Sequence, residues 1–121
     1  MEEKIMVVDD ALFMRKLISV MLKKHDYQNI IFAQDGQDAI EQYQRYHPDV
    51  VLLDITLPNE SGIVVLNEIL KQDAQAKVIM CSALGQENVI SDALRKGAKD
   101  FIVKPFKEDQ LIRTIASIIG Q

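Results

Sequence analysis

Short apolar runs alternate along this chain with stretches whose apolar positions recur every three or four residues. The runs cover residues 5–8, 29–33, 50–54, 77–81 and 101–103. Runs this short and this apolar predict strands buried on both faces. The intervening stretches predict amphipathic helices. In the first helix, Met14, Leu17, Ile18, Met21 and Leu22 form the apolar stripe, with Arg15, Lys16, Ser19, Lys23 and Lys24 opposite. Asp35-Gly36 opens the second, which turns Ala39, Ile40, Tyr43 and His47 inward. Ile63, Leu66, Ile69 and Leu70 mark the third, after a loop over residues 58–62 rich in Pro, Asn, Ser and Gly. Val89, Ile90, Ala93 and Leu94 mark the fourth, and Gly97 is placed to cap it. Leu111, Ile112, Ile115, Ile118 and Ile119 mark the fifth.

Strand and helix thus alternate five times without a linker or an internal repeat. Such alternation predicts an α/β protein with a parallel sheet and helices on both faces. Right-handed crossovers make it a doubly wound three-layer sandwich. A length of 121 residues fits one domain, taken as 1–121.

Composition narrows the function classes. A net charge of -4 is wrong for a surface that binds nucleic acid directly. No apolar run is long enough to span a membrane, and no signal peptide stands at the start, so a cytoplasmic location is expected. The single cysteine, Cys81, sits in an apolar run and reads as a small core residue. His25 follows Lys23 and Lys24 in a last helical turn, where positive charge suits the dipole. His47 precedes Pro48 and reads as a packing or surface residue, with no partners for a metal set.

Polar residues collect where the strands end. Asp9 and Asp10, Asp54, Ser82 and Lys104 all follow or close predicted parallel strands; only the second strand offers none. In open α/β sheets, ligands bind beyond the carboxyl ends of the strands. Taken singly, each residue has a bland reading: Asp9 or Asp10 as a helix cap, Asp54 in a turn, Ser82 as a surface hydroxyl, Lys104 as a solvated charge. Capping does not explain three acids, a hydroxyl and an amine on one edge. Three close carboxylates repel unless a cation compensates. Mg²⁺ suits them, because it takes oxygen ligands and keeps waters for a phosphate to replace. A metal, an amine and a hydroxyl around one carboxylate meet the needs of phosphoryl transfer, with the carboxylate as nucleophile.

The whole chain resembles the receiver domain of two-component response regulators, most closely the free-standing chemotaxis regulators of the CheY type. The resemblance rests on Val7-Val8-Asp9-Asp10, on Asp54-Ile55-Thr56-Leu57-Pro58 with Gly62, on Cys81-Ser82-Ala83, and on residues 97–106 ending Lys104-Pro105-Phe106. It implies a flavodoxin-like fold with strand order 2-1-3-4-5. It implies that Asp54 takes a phosphoryl group from a histidine kinase. Asp9, Asp10, Asp54 and the Thr56 carbonyl would hold Mg²⁺. Ser82 and Lys104 would contact the phosphoryl group, and Phe101 would be the switch aromatic. Lys104-Pro105 would be cis, at a cost that is modest only before proline. A downstream protein would read the face formed by helix four, strand five and helix five. A monomer is implied, with dimerisation on phosphorylation left open. Ser82 stands where threonine is common, and Phe101 where chemotaxis regulators often carry tyrosine. Thr56 and Leu84 occupy the positions that tune dephosphorylation, and the apolar Leu84 cannot orient a water.

Other readings compete. The chain closes at Gly120-Gln121 after helix five, so it reads either as a single-domain regulator or as the receiver of a longer DNA-binding transcriptional regulator. A Mg²⁺-dependent phosphohydrolase of the haloacid-dehalogenase type needs an acid two residues after the nucleophile, where this chain has Thr56. A flavin-binding module needs a phosphate cradle after strand one, where Asp9 and Asp10 would repel the ligand.

Overall fold

The computed structural model describes residues 2–120; Met1 and Gln121, the ends of the expected domain, lie outside the described residues. The elements run β1 (Lys4–Val8), α1 (Leu12–Lys23), β2 (Asn29–Ala33), α2 (Gly36–Tyr46), β3 (Val50–Asp54), α3 (Gly62–Gln72), β4 (Val78–Ser82), α4 (Glu87–Lys96), β5 (Asp100–Val103) and α5 (Glu108–Ile119). All strand pairs are parallel, and the order is β2-β1-β3-β4-β5.

Strand residues alternate faces, so each strand feeds two cores. Met6, Val8, Val51, Leu53, Val78 and Met80 pack under α2, α3 and α4, with Tyr43, Leu66, Ile69 and Ala93. Ile5, Val7, Val50, Leu52, Ile79, Cys81 and Ile102 pack on the other face under α1 and α5, with Ile18, Leu22, Leu111 and Ile115. A fully buried aliphatic side chain of this kind stabilises the fold by about 1.5–3 kcal/mol relative to exposure. The three central strands are therefore held at both faces. Their carboxyl ends become a rigid platform.

Two helices differ from their expected faces. The buried side of α1 comprises Ile18, Ser19 and Leu22, so Ser19 lies inside rather than opposite the stripe. The Arg15 guanidinium donates to the Asp9 carbonyl at 2.6 Å, one turn before Ser19, and links that side of the helix to the residue after β1. His47 is not on the inner face of α2. It is the residue that ends the helix, left-handed at φ 46° and exposed, because Pro48 disfavours a helical residue before it. His25 likewise lies past the end of α1, where its Nε2 sits 3.0 Å from Glu108 at the start of α5.

Candidate functional site

The carboxyl edge brings together the acids that the sequence places there. Asp9 follows β1 and is 3% exposed; Asp10 is exposed beside it. Asp54 closes β3 and is half-buried. The three offer carboxylate oxygens that all lie within 4.8 Å of one another. Neither Asp9 nor Asp10 is the cap of α1, since that position is Ala11 and has no side-chain bond. Asp9 instead accepts the Ala11 N–H at 2.9 Å, a local turn that aims its other oxygen across the edge.

Lys104 reaches into this group from the end of β5. Its Nζ lies 2.7 Å from Asp9 Oδ2 and 3.2 Å from Asp54 Oδ2. The preceding backbone is pinned by the Lys104 N–H, which donates to the Ser82 carbonyl at 2.7 Å, and the Lys104-Pro105 bond is cis. Burial pushes the Asp54 carboxyl up from its ordinary value, and the Asp9 charge adds to this. Lys104 and the Thr56 N–H, which donates to Asp54 Oδ1 at 3.0 Å, pull it down without cancelling the rise. Burial acts to lower the Lys104 ammonium, but the two carboxylates outweigh it and raise it overall, so the charge is held. In the absence of metal, Lys104 is the compensating cation of the cluster.

Ser82 ends β4 next to the site. It is fully buried, and its hydroxyl has no hydrogen-bond partner. An orphan buried hydroxyl costs roughly 1–3 kcal/mol of desolvation. Phe101 stands apart from the acids. The residue is 37% exposed and lines an apolar cleft of about 270 Å³ with Ala83, Leu84, Ile90, Leu94 and Val103. Leu84 is 80% exposed at the rim. Cys81 is buried in the core, which pushes its thiol up to about 12 and leaves it without redox or nucleophilic character.

Two residues matter here that helical and strand periodicity did not single out. Gly62 opens α3 directly against Asp54. A Cβ at this position would collide with the Asp54 carbonyl oxygen and stand 2.8 Å from the Ile55 Cα. Its own N–H donates to the Ile55 carbonyl at 2.6 Å. Only glycine lets the loop after β3 fold back this closely. Gln86 bridges two loops: its Oε1 accepts from the Ala83 N–H at 2.7 Å, and its Nε2 donates to Thr56 Oγ1 at 3.3 Å. Nothing in the periodicity marks either contact, because each is made across loops.

An acid cluster only partly compensated by one lysine, beside an unsatisfied hydroxyl, is a site for a cation and an anionic oxygen group. It lies on the carboxyl edge of a doubly wound parallel sheet, where proteins of this fold class bind their ligands. Residues 5–116 match the response regulator receiver domain, and the chain belongs to that family. It is similar to the chemotaxis protein CheY of Bacillus subtilis, at 47% identity over 95% of this chain and 96% of that protein. It is similar in structure to NtrX of Brucella abortus, with a TM-score of 0.92 and 34% identity, covering 99% of this chain. The chain spans only 27% of that NtrX chain, about a quarter of its length. A chain of the CheX–CheY–BeF3–Mg²⁺ complex of Borrelia burgdorferi matches at 37% identity, over 96% of this chain and 88% of that one, with a TM-score of 0.91. Receiver domains are signalling switches rather than metabolic enzymes, and this one is CheY-like. Among the described residues, no helix is long and apolar enough to cross a membrane.

Proposed function

We propose that Asp54 is the phosphoacceptor of a two-component signalling protein whose receiver domain is residues 1–121, and that a histidine kinase is its donor. The observation that carries this reading is the placement of Asp54 Oδ2, 3.2 Å from the Lys104 ammonium, within a cluster of three carboxylates. In the transfer, the phosphorus–nitrogen bond of a phosphohistidine breaks as a phosphorus–oxygen bond to Asp54 forms. The freed imidazole nitrogen keeps the electron pair of the broken bond.

The donor set fits Mg²⁺: all-oxygen, acidic and open to solvent at Asp10. Asp9, Asp10, Asp54 and the Thr56 carbonyl would hold it. When bound, it supplies positive charge to the phosphoryl oxygens. Lys104 neutralises a further oxygen, and its raised affinity for its proton keeps it charged for that task. The Ser82 hydroxyl donates to another, which satisfies a group that has no partner in the resting protein. Movement of Ser82 makes room for Phe101 to turn inward from the cleft between α4 and β5. The face formed by α4, β5 and α5 then changes its affinity for a downstream protein. This is a shift between two conformations driven by a local charge event.

Similarity to proteins named CheY supports chemotaxis as the output, with a downstream protein as the partner in the cytoplasm, and the net charge of -4 speaks against direct binding of nucleic acid or membrane. The test is incorporation of an acid-labile phosphoryl group from phosphoramidate with Mg²⁺, read by intact-protein mass. One phosphoryl per chain is expected in the native protein and none in Asp54→Asn. Undiminished labelling of Asp54→Asn would overturn the assignment.

A further inference from the structure

The loop between β4 and α4 starts directly after Ser82, and its side-chain bonds converge on one residue. Gln86 holds the Ala83 N–H with Oε1 at 2.7 Å and the Thr56 hydroxyl with Nε2 at 3.3 Å. The contacts tie the residue that follows Ser82 to the loop that follows Asp54. Gly85 is left-handed at φ 90°, with nothing within 4 Å of where a Cβ would stand, and Leu84 is 80% exposed. Gln86 is also the residue from which α4 starts, its carbonyl accepting the Ile90 N–H at 3.0 Å. Its side chain caps none of the helix N–H groups, so it is committed to the loop.

The direction of the Ala83 N–H gives this bond its meaning. The Cys81 carbonyl accepts from Ile55 after β3, and the Ser82 carbonyl accepts from Lys104 after β5. The Ala83 N–H shares one trans peptide with the Ser82 carbonyl and points the opposite way, back toward β3, where Asp54 ends. The first free backbone donor beyond Ser82 therefore faces the Asp54 side, and Gln86 already occupies it. A carboxamide oxygen is a weaker acceptor than a charged phosphoryl oxygen.

We propose that Gln86 is a latch on the resting conformation and that it restrains phosphoryl acceptance at Asp54. It holds the Ala83 peptide and the Thr56 hydroxyl together, and it must let go for Ser82 to move toward Asp54. The inference rests on the phosphoacceptor reading and adds what restrains the switch. The latch acts through Ala83 and Thr56 and touches neither the metal nor the phosphoryl group.

Three variants separate the latch from simple packing. Gln86→Met keeps the length of the side chain and removes both bonds. Thr56→Val removes one bond and keeps the backbone carbonyl. Gln86→Glu keeps both contacts, because the Thr56 hydroxyl can donate where it formerly accepted. Amide hydrogen exchange at Ala83, read by NMR without any phosphodonor, is expected to accelerate roughly three- to tenfold in Gln86→Met and to stay near the native rate in Gln86→Glu. Labelling by phosphoramidate with Mg²⁺ is expected to speed up by a similar factor in Gln86→Met and in Thr56→Val. The double variant should be no faster than the faster single one, since both break one device. Unchanged Ala83 exchange in Gln86→Met would overturn the latch. So would native labelling rates in both single variants, or fully additive effects. Absence of labelling in the native protein would instead overturn the phosphoacceptor reading, and this inference with it.

Discussion

The Lys104 ammonium lies closer to Asp9, at 2.7 Å, than to Asp54, at 3.2 Å. The lysine therefore rests mainly on the more buried acid and leaves the Asp54 oxygens less fully engaged. One cation serves two carboxylates, and its position shows which of the two the fold cannot leave bare.

Removal of that cation gives the first prediction. In Lys104→Met, Asp9 and Asp54 face each other at low exposure without compensation. A loss of roughly 1–3 kcal/mol is expected in urea unfolding with a chelator present. Added Mg²⁺ should restore more stability to the variant than it adds to the native protein, because the metal no longer competes with an ammonium. Equal gains in both proteins would count against Lys104 as the resting counter-ion.

The charge of Asp54 has the opposite effect. Its carboxyl is raised above its ordinary value, first by burial and then by Asp9. The stability linked to it is thus fully present below the ordinary carboxyl value of 3.8 and is lost as pH rises through the folded value. In chelator, Asp54→Asn should melt a few degrees higher than the native protein near neutral pH, a gain on the order of 1 kcal/mol. The gap should close below the ordinary value. Melting curves across pH read this directly, and a gap independent of pH would contradict it.

Gly62 is tested by one methyl group. Gly62→Ala puts a Cβ into the Asp54 carbonyl and against the Ile55 backbone, neither of which can swing aside. A loss of about 1–3 kcal/mol is expected by thermal unfolding. Phosphorylation should fall as well, because the strain falls on the peptide that carries Asp54. A native-like melting point would show that the loop after β3 has slack.

Ser82 separates stability from signalling. Its hydroxyl is buried without a partner, so Ser82→Ala should keep or raise stability, by up to about 1 kcal/mol. The same variant should lose the movement of Phe101 when beryllofluoride and Mg²⁺ are added, read from the aromatic NMR signals. A full Phe101 response in Ser82→Ala would disconnect the hydroxyl from the aromatic.

Much of this was legible along the chain. Apolar runs of strand length and stripes of helical spacing gave all ten elements, because burial between two helical layers demands those patterns. Positions at strand ends also gathered Asp9, Asp10, Asp54 and Lys104, since parallel strands deliver all their carboxyl ends to one edge. Ser19 and His47 were placed on the wrong side of their helices. In the first case the buried side of α1 extends past the stripe to Ser19; in the second Pro48 ends the helix a residue early.

Sequence by itself determined the layers, the acids and the edge on which they meet, because hydrophobic period and strand direction are local properties. Tertiary structure decided the rest. It chose Asp9 as the main partner of Lys104, left the Ser82 hydroxyl unpaired and closed Gln86 across Ala83 and Thr56. Those choices depend on where separate loops come to lie within hydrogen-bond distance. No period records such distances, because they are set by packing between segments far apart in the chain.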